Sequence, residues 1–344
     1  MEFKYIMGVD ISKEWFHFCL KDRCLAIIWE GQVTNQADAI FTFLSQLTQR
    51  AEIEHIQDVV LCMEHTGIYG QHLLRCWSSK GGRLCLIPAA KVSEQLAGAQ
   101  GWSEKDDLID ARRLAEYGLR FPDQLSLWQP QGAALEKLRS LHRQRERLIK
   151  VINILEVPVV ESQEFDSADI AASMQRHQAR SIKALEKDLK KVEATLKKLI
   201  HQGPELNQLF NLITSVEGIG PVTAIEIIIT TEAFVKFTPK QAKKFARYNG
   251  VIPMKWQSGS SVRKRTRTPK RTNQKLKTLL TTGALSLIPT SNELAHYYHR
   301  KRQEGKPHLS VINAMRNKMI LRVFAVVRNQ VMYEKNLNHS LDLP

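Results

Sequence analysis

The sequence predicts an α/β domain with a mixed sheet, then a helical coiled-coil middle, then a mainly helical C-terminal domain with a helix–hairpin–helix. Three patterns carry this prediction. Short β-rich runs alternate with helical ones over residues 1–125. Leucine-type residues then recur at spacings of three and four from Leu138 to Leu199. Finally, a Gly-x-Gly corner at Gly218 and Gly220 separates two apolar runs. The boundaries that follow are 1–125, 126–203 and 204–334, with 335–344 as a loosely held tail.

In the first region, "YIMGVDI" (5–11), "WFHFCL" (15–20) and "CLAIIW" (24–29) read as three successive strands, the last two forming a hairpin. "QADAIFTFLSQLTQR" has helical period. "DVVLCM" (58–63) reads as a buried strand, "GIYGQHLLRCWSSK" as a helix, and "RLCLI" (83–87) as another strand. Asp106 to Leu119 returns to helical spacing. A meander followed by αβαβα gives a mixed sheet. In the middle, Leu138, Leu141, Leu148, Ile152 and Leu155 form a heptad seam that Arg145 interrupts. Ile182, Leu185, Leu189, Val192, Leu196 and Leu199 continue the 3-4 spacing without a break. Joined by "VPVVESQEFDSADI", the two segments suit an antiparallel hairpin or a dimerising coiled coil. In the last region, "LITSVEGIGPVTAIEIII" is helix, turn, helix, and two more helices are expected near 273–287 and 308–334.

Composition narrows the function. The 344-residue chain carries a formal charge of +15 and a pI near 9.6, which favours a polyanionic partner. Its apolar runs, such as "AIEIIIT" and "MILRVFAVV", are far short of the ~20 residues that span a bilayer. Its N-terminus lacks the order of a signal peptide. Five cysteines without C-x-x-C spacing read as reduced thiols of a cytosolic protein. The absence of a Gly-rich phosphate loop disfavours a phosphotransferase.

Four carboxylates stand out. Asp10 lies inside an apolar strand, where a carboxylate is costly unless paired or metal-bound. Glu64 ends a second apolar strand. Asp107 and Asp110 share one helix face, with Asp106 competing for the role of Asp107. Brought together they would offer an oxygen-rich site for Mg²⁺ or Mn²⁺. A ribonuclease-H-like fold would make that conjunction, with acids on its first strand, its fourth strand and a late helix. Downstream, Ser258, Gly259, Ser260 and Ser261 precede a run in which eight of the fifteen residues from Arg263 to Lys277 are Lys or Arg. Arg263, Lys264, Arg265, Arg267, Lys270, Arg271, Lys275 and Lys277 are the expected nucleic-acid contacts. Taken alone, the serines read as a turn.

Ordered motifs extend these readings over nearly the whole chain. "GVDISKEWF", "MEHTGIY", "KDDLIDARRLAEY", "VEGIGPVTA", "FARYNGVIP" and "SGSSVR" resemble, in order, motifs of the bacterial "one-ten" insertion-sequence transposases, a family that includes the Piv-type invertases. The resemblance implies a RuvC-like DEDD domain joined to a C-terminal transposase domain carrying a serine. It implies catalytic and metal-binding roles for Asp10, Glu64, Asp107 and Asp110, choosing Asp107 over Asp106, and a nucleophilic role for Ser258. Ser258 would attack a DNA phosphate and form a phosphoserine link. The expected partners are donor and target DNA, a structured noncoding guide RNA, and further copies of the chain as a dimer that pairs into a tetramer. The expected location is the bacterial cytoplasm, at the nucleoid. The chain departs from the family after the serines, with Lys264 and Asn273 where glycines are usual. The alternative is a hydrolytic RuvC-like nuclease or junction resolvase, in which water attacks and Ser258 is structural.

Overall fold

A computed structural model of the chain describes residues 3–50, 53–64, 67–96, 106–130, 132–258, 262–268 and 272–334. The expected tail, 335–344, lies outside the described residues. The chain divides into two compact units, Met1–Pro130 and Gln131–Pro344.

The first unit is a five-stranded mixed sheet flanked by helices. Strands β1 (Tyr5–Ile11), β2 (Trp15–Asp22) and β3 (Ile27–Thr34) form an antiparallel meander. Strands β4 (Val59–Glu64) and β5 (Arg83–Ile87) add in parallel to β1, giving the order β3-β2-β1-β4-β5. The arrangement is compatible with a ribonuclease-H-like domain. Strand alternation divides the residues between two faces. Met7, Val9, Ile11, Phe16, Phe18, Leu61 and Met63 pack with residues of helices α1 (Ala37–Arg50) and α2 (Gln71–Ser79). Ile6, Val60, Cys62 and Cys85 pack on the other face. Their partners come from α3 (Ala89–Leu96) and α4 (Asp107–Arg120).

In the second unit, α5 (Ala133–Phe165) and α6 (Ala168–Gln202) form a long helical hairpin. Its base joins the C-terminal core through Leu135, Leu138, Val192, Leu196 and Ile200. Helices α7 (Pro204–Thr214) and α8 (Pro221–Thr231) flank the expected corner, where Gly218 takes φ +80°. A Cβ on Gly283 would fall 2.1 Å from the Gly218 carbonyl oxygen, so the corner sits directly on α10 (Gln274–Leu287). Helix α9 (Ala242–Tyr248) leads to a two-stranded ribbon, β6 (Met254–Ser258) and β7 (Val262–Arg267). After α10 come α11 (Glu293–Gln303) and α12 (His308–Asn329). Helix α12 is apolar around most of its girth and runs through the core.

Several sequence expectations need correction. The third strand starts at Ile27 rather than at Cys24. The Asp22 carboxylate accepts from the backbone N–H groups of Cys24 and Ala26, closing a turn over what was read as strand. The helix expected from Gly67 begins only at Gln71. The stretch expected to join the coiled-coil segments is almost all helix, and α5 runs through Pro158 to Phe165 before a break at Asp166 and Ser167. Arg145, which interrupts the seam, pairs with Glu193 of α6 at 2.8 Å. The ribbon β6–β7 occupies a stretch for which no strands were expected, and α11 was not expected.

Candidate active site

The acidic site begins with a close approach of backbone to backbone. A Cβ built on Gly8 would fall 2.0 Å from the Ala111 carbonyl oxygen and 2.3 Å from the Ala115 nitrogen. Only glycine lets α4 lie this near β1. Farther along the helix, a Cβ on Gly118 would meet the Cys62 sulfur at 2.9 Å and Ile6 at 3.0 Å. The helix therefore runs antiparallel to β1. Its first turn lies toward the end of β1 where Asp10 stands, two residues beyond Gly8 on the same face.

Register supplies the other acid. Val9 pairs with Met63 across the parallel strands, so Asp10 and Glu64 occupy the next position at the ends of neighbouring strands. Both are half-buried. Burial first, then the carboxylates of Asp107 and Asp110, push the Asp10 carboxyl above its usual range. Burial first, then Asp10 and Asp110, push Glu64 up as well. Asp10 and Glu64 thus sense neighbouring carboxylates across a partly desolvated space. Asp106 takes no part in this group. It caps α4, its side chain accepting from the Leu108 N–H at 3.2 Å. Asp107 lies 3.8 Å from His17, and its charge acts on the Asp10 carboxyl.

Among the described residues, no group of three His, Cys, Asp or Glu side chains is arranged to hold a metal ion. The donor chemistry nonetheless fits a hard divalent cation, since burial penalises the charge of Asp10 and Glu64 and the carboxylates of Asp107 and Asp110 add to it. The Asp107 side chain is 57% exposed.

Three neighbours of the acids escaped the sequence reading. His17 pairs with Asp10 across β1 and β2, so both side chains lie on the α4 face. Its Nδ1 lies 3.8 Å from Asp107. Arg113 binds Asp110 at 2.7 Å. Arg112 reaches across to β3, where its Nε donates to Glu30 at 2.7 Å. The alternation Phe16-His17-Phe18 was the available signal, because two core aromatics force the intervening histidine onto the opposite face.

The serine and the basic residues lie in the second unit. Ser258 is the last residue of β6 and pairs with Val262 of β7. Arg263, Lys264, Arg265 and Arg267 fall on β7. Gly259–Ser261, Lys270 and Arg271 lie outside the described residues. Lys275 sits elsewhere, in a charge network. Its ammonium pairs with Glu226 of α8, with Glu146 of α5 at 2.6 Å and with the His142 Nε2 at 3.0 Å. His142 Nε2 is also 3.0 Å from Glu226. Burial works against the Glu226 charge. The hydrogen bonds from His142 and Lys275 outweigh it and hold the carboxyl below its usual range. Lys275 thus joins three helices, and Lys277 is half-buried against α12.

Two family models match the chain in order. Residues 7–155 match the transposase family DEDD_Tnp_IS110, and residues 210–299 match "Transposase IS116/IS110/IS902 family". Two similar proteins, from Moraxella lacunata and Moraxella bovis, are each described as "Pilin gene-inverting protein". Each is 25% identical over 340 residues, covering 97% of this chain and 99% of the relative. No helix among the described residues is long and apolar enough to cross a membrane.

Two measurements probe this geometry. Asp10→Asn removes one of several clustered like charges, so in chelator at neutral pH its Tm should equal or exceed wild type by about a degree or two. Mg²⁺ should raise the wild-type Tm and do so less in the variant. A clear fall in the chelator Tm would mean that Asp10 is a structural anion. In the second unit, Glu226→Gln should cost about 3 kcal/mol at neutral pH, the scale for breaking a buried pair. A depressed carboxyl stabilises above its unfolded value and loses that contribution as pH falls through its folded value. The gap between wild type and Glu226→Gln in chemical denaturation should therefore narrow below about pH 4. A pH-independent gap would contradict the network.

Proposed function

We propose that this chain, a member of the IS110 transposase family and hence a DNA recombinase, is RNA-guided and exchanges strands through a phosphoserine at Ser258, assisted by a Mg²⁺- or Mn²⁺-binding acidic site. The observation that carries the reading is the meeting of Asp10, Glu64, Asp107 and Asp110. They come from two neighbouring strand ends and one helix turn, and burial together with the neighbouring carboxylates raises the proton affinity of Asp10 and Glu64. Structural surface acids would be solvated and indifferent to one another. These face a common space inside a domain matched to DEDD transposases.

The chemistry balances without an external energy source. The Ser258 Oγ attacks a DNA phosphorus, its proton passes to a base, and the phosphodiester releases a protonated 3′-hydroxyl. A new 3′-hydroxyl then attacks the phosphoserine, and Ser258 recovers its proton. One phosphodiester breaks and one forms. Asp10, Glu64, Asp107 and Asp110 would hold the divalent ion, which when bound supplies Lewis-acid stabilisation at the phosphate oxygens. His17 would position Asp107, and Arg113 would position Asp110. The cationic strand β7 beside Ser258 would bind the DNA backbone.

Guidance by a structured RNA rests on the family resemblance and agrees with the +15 charge. Base pairing would then read sequence while the protein reads shape and backbone. Assembly into a dimer, and of dimers into a tetramer, is supported by α5. Ile154, Val157, Val160 and Phe165 are 51–78% exposed there, a row of apolar side chains toward the far end of the helical hairpin. The place of action would be the bacterial nucleoid.

The deciding experiment incubates the protein with Mg²⁺, the RNA encoded beside its gene and labelled junction DNA, then resolves products on a denaturing gel. A protein-linked DNA band that vanishes with Ser258→Ala and with Asp10→Ala is expected. Free nicked DNA from both wild type and Ser258→Ala would establish hydrolysis instead. For assembly, Ile154→Glu should shift the protein to a monomer in light scattering after size-exclusion chromatography. A variant with wild-type mass would rule this row out as the interface.

A further inference from the structure

The second unit encloses a cation that nothing described neutralises. Arg316, on α12, is 7% exposed. Its guanidinium makes no hydrogen bond or ion pair with any described residue, and its Nε is enclosed without a partner. Guanidinium groups are not deprotonated in proteins, so this is a buried positive charge, which is costly unless something anionic joins it. Two other enclosed charges of this unit have ion-pair partners. Glu226 has His142 and Lys275, and Arg322 has Glu293.

A second cation stands at the same place. Lys277 lies on α10, which packs against α12. Burial first, and then the Arg316 charge, depress the proton affinity of its ammonium. Two cations share a partly closed corner where the fold supplies no carboxylate among the described residues. Such a pair, one of them a planar five-donor fork, suits a phosphate.

The corner lies at the root of the ribbon carrying Ser258. Asn313, one turn before Arg316, donates through Nδ2 to the Val251 carbonyl at 2.5 Å, just ahead of β6. On the other side, Asn273 caps α10 one turn before Lys277, and its backbone N–H bonds the Tyr248 carbonyl at 3.5 Å. The same two helices thus hold both ends of the ribbon and both cations.

We propose that the Arg316–Lys277 corner binds one backbone phosphate of a nucleic-acid strand at the root of the β6–β7 ribbon. The inference rests on the reading that the chain binds nucleic acid. It is independent of the covalent role of Ser258. The phosphate completes the corner by accepting from the guanidinium and the ammonium together. The strand is thereby held at the end of the ribbon opposite Ser258.

The test measures fluorescence anisotropy of labelled oligonucleotides, one duplex DNA and one structured RNA, against full-length protein over a range of salt. All proteins carry Ser258→Ala, so no covalent product contributes and failure of the serine chemistry leaves the measurement intact. Arg316→Met should bind more weakly. It should lower the slope of log K against log salt by about one, the value for one phosphate contact. Its Tm without nucleic acid should equal or exceed the parent, because an unpaired buried charge has gone. A slope change with DNA alone assigns the corner to DNA, and with RNA alone to the guide. Parental slope and affinity on both would overturn the proposal. If Arg316→Met does not fold, the half-exposed Lys277→Met gives the same readout, and an unchanged slope there is equally fatal.

Discussion

The acidic site depends on one steric constraint, the lack of any atom beyond Cα at Gly8. With its backbone against Ala111 and Ala115, α4 is fixed in height and direction over β1. From that contact the rest follows by geometry. The helix's first turn reaches the end of the strand, and Asp107 and Asp110 come to share a space with Asp10. Parallel pairing with β4 then brings Glu64 alongside. Apolar packing holds the arrangement from both sides of the sheet, so the clustered acids are imposed by the fold against their own repulsion. A group of anions in that condition is primed for a cation, since its binding would relieve both repulsion and burial.

The second unit treats its charges in two opposite ways. At His142, Glu226 and Lys275, residues from three helices neutralise one another, and the hydrogen bonds among them outweigh the desolvation of the carboxylate. At Arg316 and Lys277, positive charge is enclosed and left open. The first arrangement ties α5 to α8 and α10, while the second leaves the pairing to a ligand. Lys275 and Lys277, two residues apart in a single basic run, fall on opposite sides of this division.

Much of the fold was legible because its periodicities were local. The continuous apolar runs "YIMGVDI" and "DVVLCM" marked two buried strands, and the strand-end placement of Glu64 followed directly. The start of the third strand is poorly marked because the apolar residues Leu25, Ile27 and Ile28 are largely exposed and run through the turn into the strand. The ribbon β6–β7 was hidden because its strands are lined with basic residues and show no apolar alternation. The acids could be named, and the motif resemblance chose Asp107 over Asp106, whose capping of the helix is a contact that sequence leaves unmarked. The network was illegible, since His142 meets Glu226 and Lys275 across 84 and 133 residues of chain. Arg316 gave no signal at all, because a lone arginine in an apolar helix carries no mark of whether it has a partner.

The helical hairpin of α5 and α6 has a mechanical consequence. Helices of 33 and 35 residues extend about 50 Å at 1.5 Å per residue, and each braces the other against bending. They are rooted in the C-terminal core and end near Phe165, 78% exposed. Such a pair is a cantilever. A sideways push at its free end becomes torque at its anchorage, where His142 and Glu146 of α5 meet Lys275 of α10, the helix that leads directly out of the ribbon bearing Ser258.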